Sequence, residues 1–379
     1  MTELVMLDLP AGPRFVDALQ RVWESGDAAF PLDQRLPAAE ADRVIEVARP
    51  TAVIEADGER RALDAGEPVE PGDAILVTTS GTTGLPKGVI HTHDSVRASS
   101  IATSAGLDVD PATDHWLACL PPAHIGGLAV IMRALHTGTG LTVLERFEPE
   151  LADQAARDGA TLVSLVTRAL NQVDVHGFRS ILIGGAAPPP DLPDHVIPTY
   201  GMTETGSGCV YRRHPLDGVE LRANERGEIE IRADLLLRTY RTLDGHRDPF
   251  TADGWFPTGD LGRIEDDGGL SIDGRAGDMI ITGGENVWPS RIERRLDEHP
   301  AIAEVAVIGR PDPDWGQTVV ACVVADAAGT PPSLDEIRAF VTETMPVWNA
   351  PKELLLFDEL PKTALGKVRR NELLGTRPQ

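Results

Sequence analysis

The sequence predicts an α/β protein: a large amino-terminal α/β domain with an antiparallel β subdomain, followed by a small carboxy-terminal α+β domain. Three observations lead there: the length, a repeated strand–turn–helix texture from Asp73 onward, and a change of texture between Val219 and Asp273. At 379 residues the chain exceeds the roughly 250–300 residues at which a single core stops growing, so more than one domain is expected.

From Asp73 the pattern is apolar run, Gly-rich or polar turn, then helical stretch. AILVTTSG leads to DSVRASSIATSAG, GLTVLERF to PELADQAARDG and TLVSLV to TRALNQV, and SILIGGAA closes the series. Such alternation argues for an α/β layer with largely parallel strands. Between Val219 and Asp273 the segments become short and alternating, as in GEIEIRA and GRIEDDGGLSIDG, with DG and GG turns that read as hairpins. Beyond Gly274 come the strand MIIT and a helix in PSRIERRLDEH with Pro289 near its start. The strands AEVAVIG and TVVACVVAD follow, then a helix opened by Ser333 with Glu336 three residues on, a capping-box arrangement. The expected domains are therefore 1–276 and 277–379.

The 35 basic and 59 acidic residues give a formal charge of −24. That field repels nucleic acid and anionic membranes, so neither is an expected partner, and any phosphate must be held by local groups. The start, MTELVMLDLPAGPRF, lacks a signal-peptide pattern, and no run of about 18 apolar residues occurs, which fits a cytoplasmic enzyme. Cys119, Cys209 and Cys322 are odd in number and far apart, and read as buried apolar side chains. A homodimer is left open.

The segment Thr78-Thr79-Ser80-Gly81-Thr82-Thr83-Gly84-Leu85-Pro86-Lys87-Gly88 follows an apolar strand and precedes a helical stretch. Glycines let backbone N–H groups approach phosphate oxygens, hydroxyls add donors, and Lys87 adds a point charge. Walker A chemistry is excluded, because Gly84 is followed by Leu-Pro-Lys-Gly instead of four residues and Gly-Lys-Ser/Thr. TTSGTTGLPKG resembles the signature loop of the AMP-forming acyl-CoA synthetase, adenylation-domain and luciferase-type superfamily. Further segments resembling that superfamily follow in its order as far as Arg370.

The resemblance implies roles residue by residue. In the loop, Thr79, Ser80, Gly81, Thr82, Thr83, Gly84 and Lys87 would bind nucleotide. Tyr200-Gly201-Met202-Thr203-Glu204-Thr205-Gly206 is similar to a second signature: Tyr200, Gly201 and Met202 lie along the nucleotide, Thr203 contacts the α-phosphate and Glu204 holds Mg2+. A Glu among hydroxyls suits a hard cation that keeps most of its waters. Gly184, Gly185 and Ala186 would meet the adenine face, and Asp260 and Arg275 the ribose hydroxyls, for which a carboxylate has the acceptor sites.

Lys367, in PKTALGKV, would be delivered between substrate carboxylate and α-phosphate by a mobile carboxy-terminal domain. Gly283 and Gly284 would line the path of coenzyme A, and His124, Ser164 and Gly206 the acyl pocket, with His124 also serving catalysis. Where the superfamily usually carries an Asp or Lys hinge, this sequence has Gly277. The phosphate loop also starts early, at Thr78. In that short layout the chain resembles the actinobacterial o-succinylbenzoate:CoA ligases of menaquinone synthesis. The resemblance thus implies an acid:CoA ligase using ATP, Mg2+, a small carboxylate and coenzyme A. A dicarboxylate would need a second anchor, for which Arg168, Arg212 and Arg213 are candidates by proximity. A ligase for another aromatic or aliphatic acid shares every motif, and a silent adenylate-binding protein is the reading from a different class.

Overall fold

The computed structural model describes all residues except 1, 81–85, 186–187, 190, 327–329, 363–367 and 375–379. The chain forms two compact units, one of Met1–Arg222, Glu230–Pro257 and Ile264–Leu270, the other of Ala223–Ile229, Thr258–Arg263 and Ser271–Gln379.

The first unit contains two sheets. The eight-stranded one runs in the order Gly245–Arg247, Thr239–Thr242, Pro86–Thr92, Asp73–Ser80, Ala28–Pro31, Leu4–Leu7, Ala52–Ile54, Arg60–Ala62. Its inner strands are parallel, and Leu4–Leu7 is buried at every position, so it reads as a continuous apolar run instead of an alternation. Helix Pro13–Glu24 begins with proline in its first turn and buries Phe15, Ala18, Leu19 and Val22, a single helical stripe. The seven-stranded sheet runs His214–Pro215, Ser207–Tyr211, Val196–Met202, Ser180–Gly184, Leu162–Val166, His115–Ala118, Gly140–Val143. Five of its strands pair in parallel, and the two at one end pair antiparallel. Helix His93–Gly106 opens on a capping box between Thr92 and Ser95. Helix Ile125–Thr137 is buried almost all round and stops at Gly138, whose φ is 68°.

Two expectations need correction. The phosphate loop is not followed directly by a helix: PKGVIHT forms strand Pro86–Thr92, which returns antiparallel along Asp73–Ser80 before helix His93–Gly106 begins. The β-branched Val89, Ile90 and Thr92 favour an extended chain, and Val89 and Ile90 are buried in the sheet. The stretch after Val219 is also not one subdomain. Strands Glu220–Ala223, Glu228–Arg232, Phe256–Ile264 and Leu270–Arg275 make a four-stranded sheet, whereas Thr239–Thr242 and Gly245–Arg247 extend the eight-stranded one. Arg241 fixes the latter: wholly buried, it donates to the carbonyls of Ala48, Glu67 and Pro68.

In the second unit a five-stranded sheet has the order Glu285–Val287, Ile280–Thr282, Gly316–Ala325, Ile302–Asp312, with Glu353–Leu356 parallel to Gly316–Ala325. Alternation along the long strands puts Val307, Val319 and Val323 in a core with Ile292, Leu296, Ile337 and Val341 of the two helices. Ala306, Ile308, Val320 and Cys322 pack on the other face with Leu355 and Leu373. All three cysteines are free and buried, and burial pushes their thiols up to about 12. Among the described residues no helix is long and apolar enough to cross a membrane.

Candidate active site

The pairing of the phosphate-loop strands sets Lys87 opposite Thr79, next to the last pair, Ser80 with Pro86, before the loop. On its other side strand Pro86–Thr92 takes Thr239–Thr242, with Tyr240 opposite Val89. Strand Val196–Met202 ends in a short 3-10 turn, Thr203–Thr205, that carries Glu204. Three distant stretches of sequence therefore meet. Lys87 Nζ donates to Glu204 Oε1 at 2.7 Å, and the Tyr240 hydroxyl donates to the same oxygen at 2.9 Å. Lys87 Nζ also lies 3.9 Å from the centroid of the Tyr240 ring, a cation–π contact.

Burial pushes the Glu204 carboxyl up, but the charge and hydrogen bond of Lys87, helped by Tyr240, outweigh it and hold the group below the usual carboxylate range. Glu204 is thus ionised, and among the described residues no side chain donates to its Oε2. That single open, hard oxygen suits a small cation that draws its remaining ligands from water and phosphate. An all-protein metal cage is absent: among the described residues no group of three or more His, Cys, Asp or Glu could hold an ion.

The turn itself is braced from beneath. His91, wholly buried, has Nε2 at 2.7 Å from the Thr203 carbonyl and Nδ1 at 3.1 Å from Ser95 Oγ. A carbonyl only accepts, so Nε2 carries the proton, and burial pushes the ring pKa down towards the neutral form. Thr205 Oγ1 bonds Ser207 O at 2.6 Å and receives the Met202 N–H at 2.9 Å. At Gly201 a β-carbon would come 2.1 Å from Ser207 O, so the returning strand admits only glycine there. Tyr200 is half-buried on the same strand. Gly184 ends strand Ser180–Gly184, and Gly185 follows at φ 84°. Thr79 Oγ1 is buried without a hydrogen-bond partner among the described residues. Gly81, Thr82, Thr83, Gly84 and Ala186 lie outside the described residues, and nothing of the Ser80 side chain is described.

His124 caps helix Ile125–Thr137, and its Nε2 is 3.0 Å from Asp33 Oδ2. Asp33 is gripped at both oxygens by Arg35, at 2.8 and 2.7 Å. Burial pushes Asp33 up, yet the Arg35 and His124 hydrogen bonds hold it well below the carboxylate range. Ser164 sits half-buried on strand Leu162–Val166, and Gly206, at φ 67°, packs near Ser99 and His91.

The sequence reading missed Arg133. It lies on helix Ile125–Thr137, is only 3% exposed, and donates from Nη2 to Ser207 Oγ at 2.6 Å. Its Nε and Nη1 have no partner among the described residues. Burial pushes its pKa down. The signal was one arginine inside the apolar IGGLAVIMRALHT, in line with positions that had to be core. The earlier anchor candidates differ: Arg168, Arg212 and Arg213 are exposed, and Arg212 and Arg213 are spent on a left-handed turn at φ 48° and 75°.

In the second unit Arg275 Nε pairs with Asp260 Oδ1 at 2.8 Å, and Arg275 Nη1 donates to the Thr258 carbonyl at 3.1 Å. Thr258 Oγ1 in turn donates to Ile229 O and accepts the Asp260 N–H, so the TGD turn is internally locked. Gly283 and Gly284, at φ 59° and 85°, turn the hairpin between Ile280–Thr282 and Glu285–Val287. A β-carbon on Gly283 would meet the Trp315 ring at 2.7 Å. Gly277 has open space around it, in the short 3-10 turn Ala276–Asp278. Lys367 lies outside the described residues. Lys362 and Arg370, on either side of it in sequence, are committed to Glu304 and Glu293.

An ionised carboxylate with no described side-chain donor on its second oxygen, and a lysine beside it on the strand that follows the glycine-rich segment, suit an enzyme site for phosphate. Residues 2–228 match the family described as AMP-binding enzyme, and residues 291–367 match the AMP-binding enzyme C-terminal domain. The chain belongs to the AMP-binding enzyme family. It is 40% identical over 341 residues to a probable 2-succinylbenzoate--CoA ligase of Mycobacterium tuberculosis, covering 83% of this chain and 87% of that protein. It is 34% identical over 335 residues to a 2-succinylbenzoate--CoA ligase of Bacillus cytotoxicus, covering 79% and 69%. Its fold matches the Bacillus subtilis o-succinylbenzoate CoA synthetase MenE in complex with the acyl-adenylate intermediate OSB-AMP: TM-score 0.86, 26% identity, 99% of this chain and 89% of that one. The same synthetase in complex with ATP and magnesium ion matches with a TM-score of 0.86 at 26% identity, over 98% and 89% of the two chains.

Proposed function

We propose that the protein joins 2-succinylbenzoate to coenzyme A through an acyl-adenylate, releasing AMP and pyrophosphate. The Lys87–Glu204–Tyr240 arrangement carries the reading: a cation and an ionised carboxylate with a free oxygen, at the mouth of the glycine-rich hairpin. The relatives named for that ligation supply the acid.

A carboxylate does not acylate a thiol directly, because oxide would have to leave. Adenylation solves this: the carboxylate oxygen attacks the α-phosphate, the bond to pyrophosphate breaks, and AMP later departs as the thiol attacks. The chain's task is alignment and charge neutralisation more than acid–base chemistry. Lys87 and the loop residues Thr79 to Gly84 hold the triphosphate. Thr203 contacts the α-phosphate, and Mg2+, which Glu204 would hold, would supply charge neutralisation for the departing pyrophosphate. Asp260 and Arg275 take the ribose, Tyr200 to Met202 and Gly184 to Ala186 the base. Lys367 counters charge as carboxylate and α-phosphate are brought together. For thioester formation the carboxy-terminal domain, residues 277–379, turns, withdrawing Lys367 and bringing Gly283 and Gly284 to the pantetheine arm. The reading keeps the enzyme in the cytoplasm, away from nucleic acid and membranes.

Arg133 distinguishes the acid. A guanidinium 3% exposed with two unpartnered nitrogens is costly unless an anion meets it, and it already touches Ser207 next to Gly206 of the acyl segment. The ring carboxylate of 2-succinylbenzoate is such an anion. The test is ATP–pyrophosphate exchange with 2-succinylbenzoate, benzoate, succinate and medium-chain acids. The first should be preferred strongly, and equal rates for all would defeat the assignment.

A further inference from the structure

The hydroxyl of Tyr240 belongs to neither signature segment, yet it reaches the same oxygen of Glu204 as Lys87 does. Both donors crowd onto Oε1, and among the described residues no side chain donates to Oε2. Lys87 has a competing duty, because the triphosphate needs its charge. Once it is drawn to phosphate, the one described side-chain donor left on Glu204 is Tyr240, held in strand Thr239–Thr242 by pairing with Pro86–Thr92. The ring carries two cationic contacts, Lys87 Nζ at 3.9 Å and the Arg247 guanidinium at 5.0 Å from its centroid, and the second does not depend on Lys87 staying. A buried carboxylate with one oxygen tied down by a charge-assisted hydrogen bond can present only the other.

We propose that Tyr240 is a positioning residue: its hydroxyl holds Glu204 Oε1 while Lys87 moves to the nucleotide, so that Oε2 faces the cation that accompanies the triphosphate. This rests on the nucleotide-binding reading above. The test uses the full chain without acid or coenzyme A. ATP binding is measured by calorimetry across a Mg2+ series, and AMP binding without Mg2+, for wild type, Tyr240→Phe, Glu204→Gln and the double variant. Tyr240→Phe keeps the ring that Lys87 and Arg247 pack on and removes the donor alone. It should raise the Mg2+ midpoint for ATP binding about tenfold, the scale of one hydrogen bond to a charged group, and leave AMP affinity unchanged within about twofold. In the Glu204→Gln background it should add nothing, because Tyr240 acts through Glu204. An unchanged midpoint, an additive shift in the double variant, or loss of AMP binding in Tyr240→Phe would each overturn the assignment. Wild type that binds no ATP at any Mg2+ concentration would instead strike the nucleotide reading itself.

Discussion

Replacing Arg133 with methionine separates substrate recognition from folding, because the two are expected to move in opposite directions. In the folded protein Arg133 is 3% exposed and makes one side-chain hydrogen bond, to Ser207 Oγ, with Nε and Nη1 unpartnered among the described residues. Methionine fills much of the same volume without the buried charge. Loss of one hydrogen bond costs about 1 kcal/mol, while relief of the buried cation returns about 1–4 kcal/mol, so the melting temperature should hold or rise. The substrate side has the other sign. A ring carboxylate left in the pocket without its guanidinium costs about 3–5 kcal/mol, as for other broken buried pairs. That corresponds to a fall in kcat/KM for 2-succinylbenzoate of roughly 100-fold to several thousand-fold. The assay is ATP–pyrophosphate exchange with two acids, 2-succinylbenzoate and 4-oxo-4-phenylbutanoate, which lacks the ring carboxyl. Arg133→Met should reverse or flatten the preference between them. An equal loss for both acids, or a melting temperature lowered by many degrees, would show that Arg133 braces the fold and would refute the anchor.

The remaining predictions concern the supports of the site. Asp33→Asn should destabilise the protein by about 1.5–3 kcal/mol at pH 7, the worth of a hydrogen bond to a charged group. Because the folded carboxyl is held below its unfolded value, that stability is present above about pH 4 and lost as pH falls through the lower folded value. Urea midpoints of wild type and variant should therefore converge in acid. Gly201→Ala puts a β-carbon 2.1 Å from Ser207 O, and the forced backbone shift should cost about 1–3 kcal/mol and displace Glu204, read as a lower melting temperature together with lost exchange. Lys367→Ala should abolish exchange but spare thioester formation from supplied acyl-adenylate, since the second half-reaction proceeds with Lys367 withdrawn; equal loss of both half-reactions would defeat the alternation of the two units.

The parts of the site that could be read from sequence are those whose shape is made locally. Each of the two segments is local in sequence: TTSGTTGLPKG groups its glycines and hydroxyls with Lys87, whose strand pairs with the one before it, and YGMTETG groups its own with Glu204 on a short turn. Tyr240 was invisible for the opposite reason. Its partner strand carries Val89, about 150 residues away, and the run RTYRTLDGHRD offers only a hairpin pattern, which says nothing about which sheet it will join. Arg133 was hidden by helix periodicity: the run Gly127 to Ala134 around it is buried throughout, so the local pattern predicts packing and is silent about a charge buried among it. The misreading of PKGVIHT as the run-up to a helix came from giving the loop motif more weight than the β-branched residues that follow it.

On the proposed function a protein of net charge −24 binds a polyanion and must keep its favourable field short-ranged, and the pairing at Glu204 offers a way. Without nucleotide, a buried carboxylate and the lysine meant for phosphate would each be costly alone; paired at 2.7 Å they neutralise each other. On the proposed function, nucleotide arriving with its own cation would supply both replacements at once, phosphate for Lys87 and the metal for Glu204, so neither charge would be left bare during the exchange. A nucleotide without a cation takes Lys87 and leaves Glu204 uncompensated but for Tyr240. On the proposed function the ion pair would therefore disfavour metal-free ATP, with a lysine on a paired strand and a glutamate on the turn that His91 braces, both outside the loop.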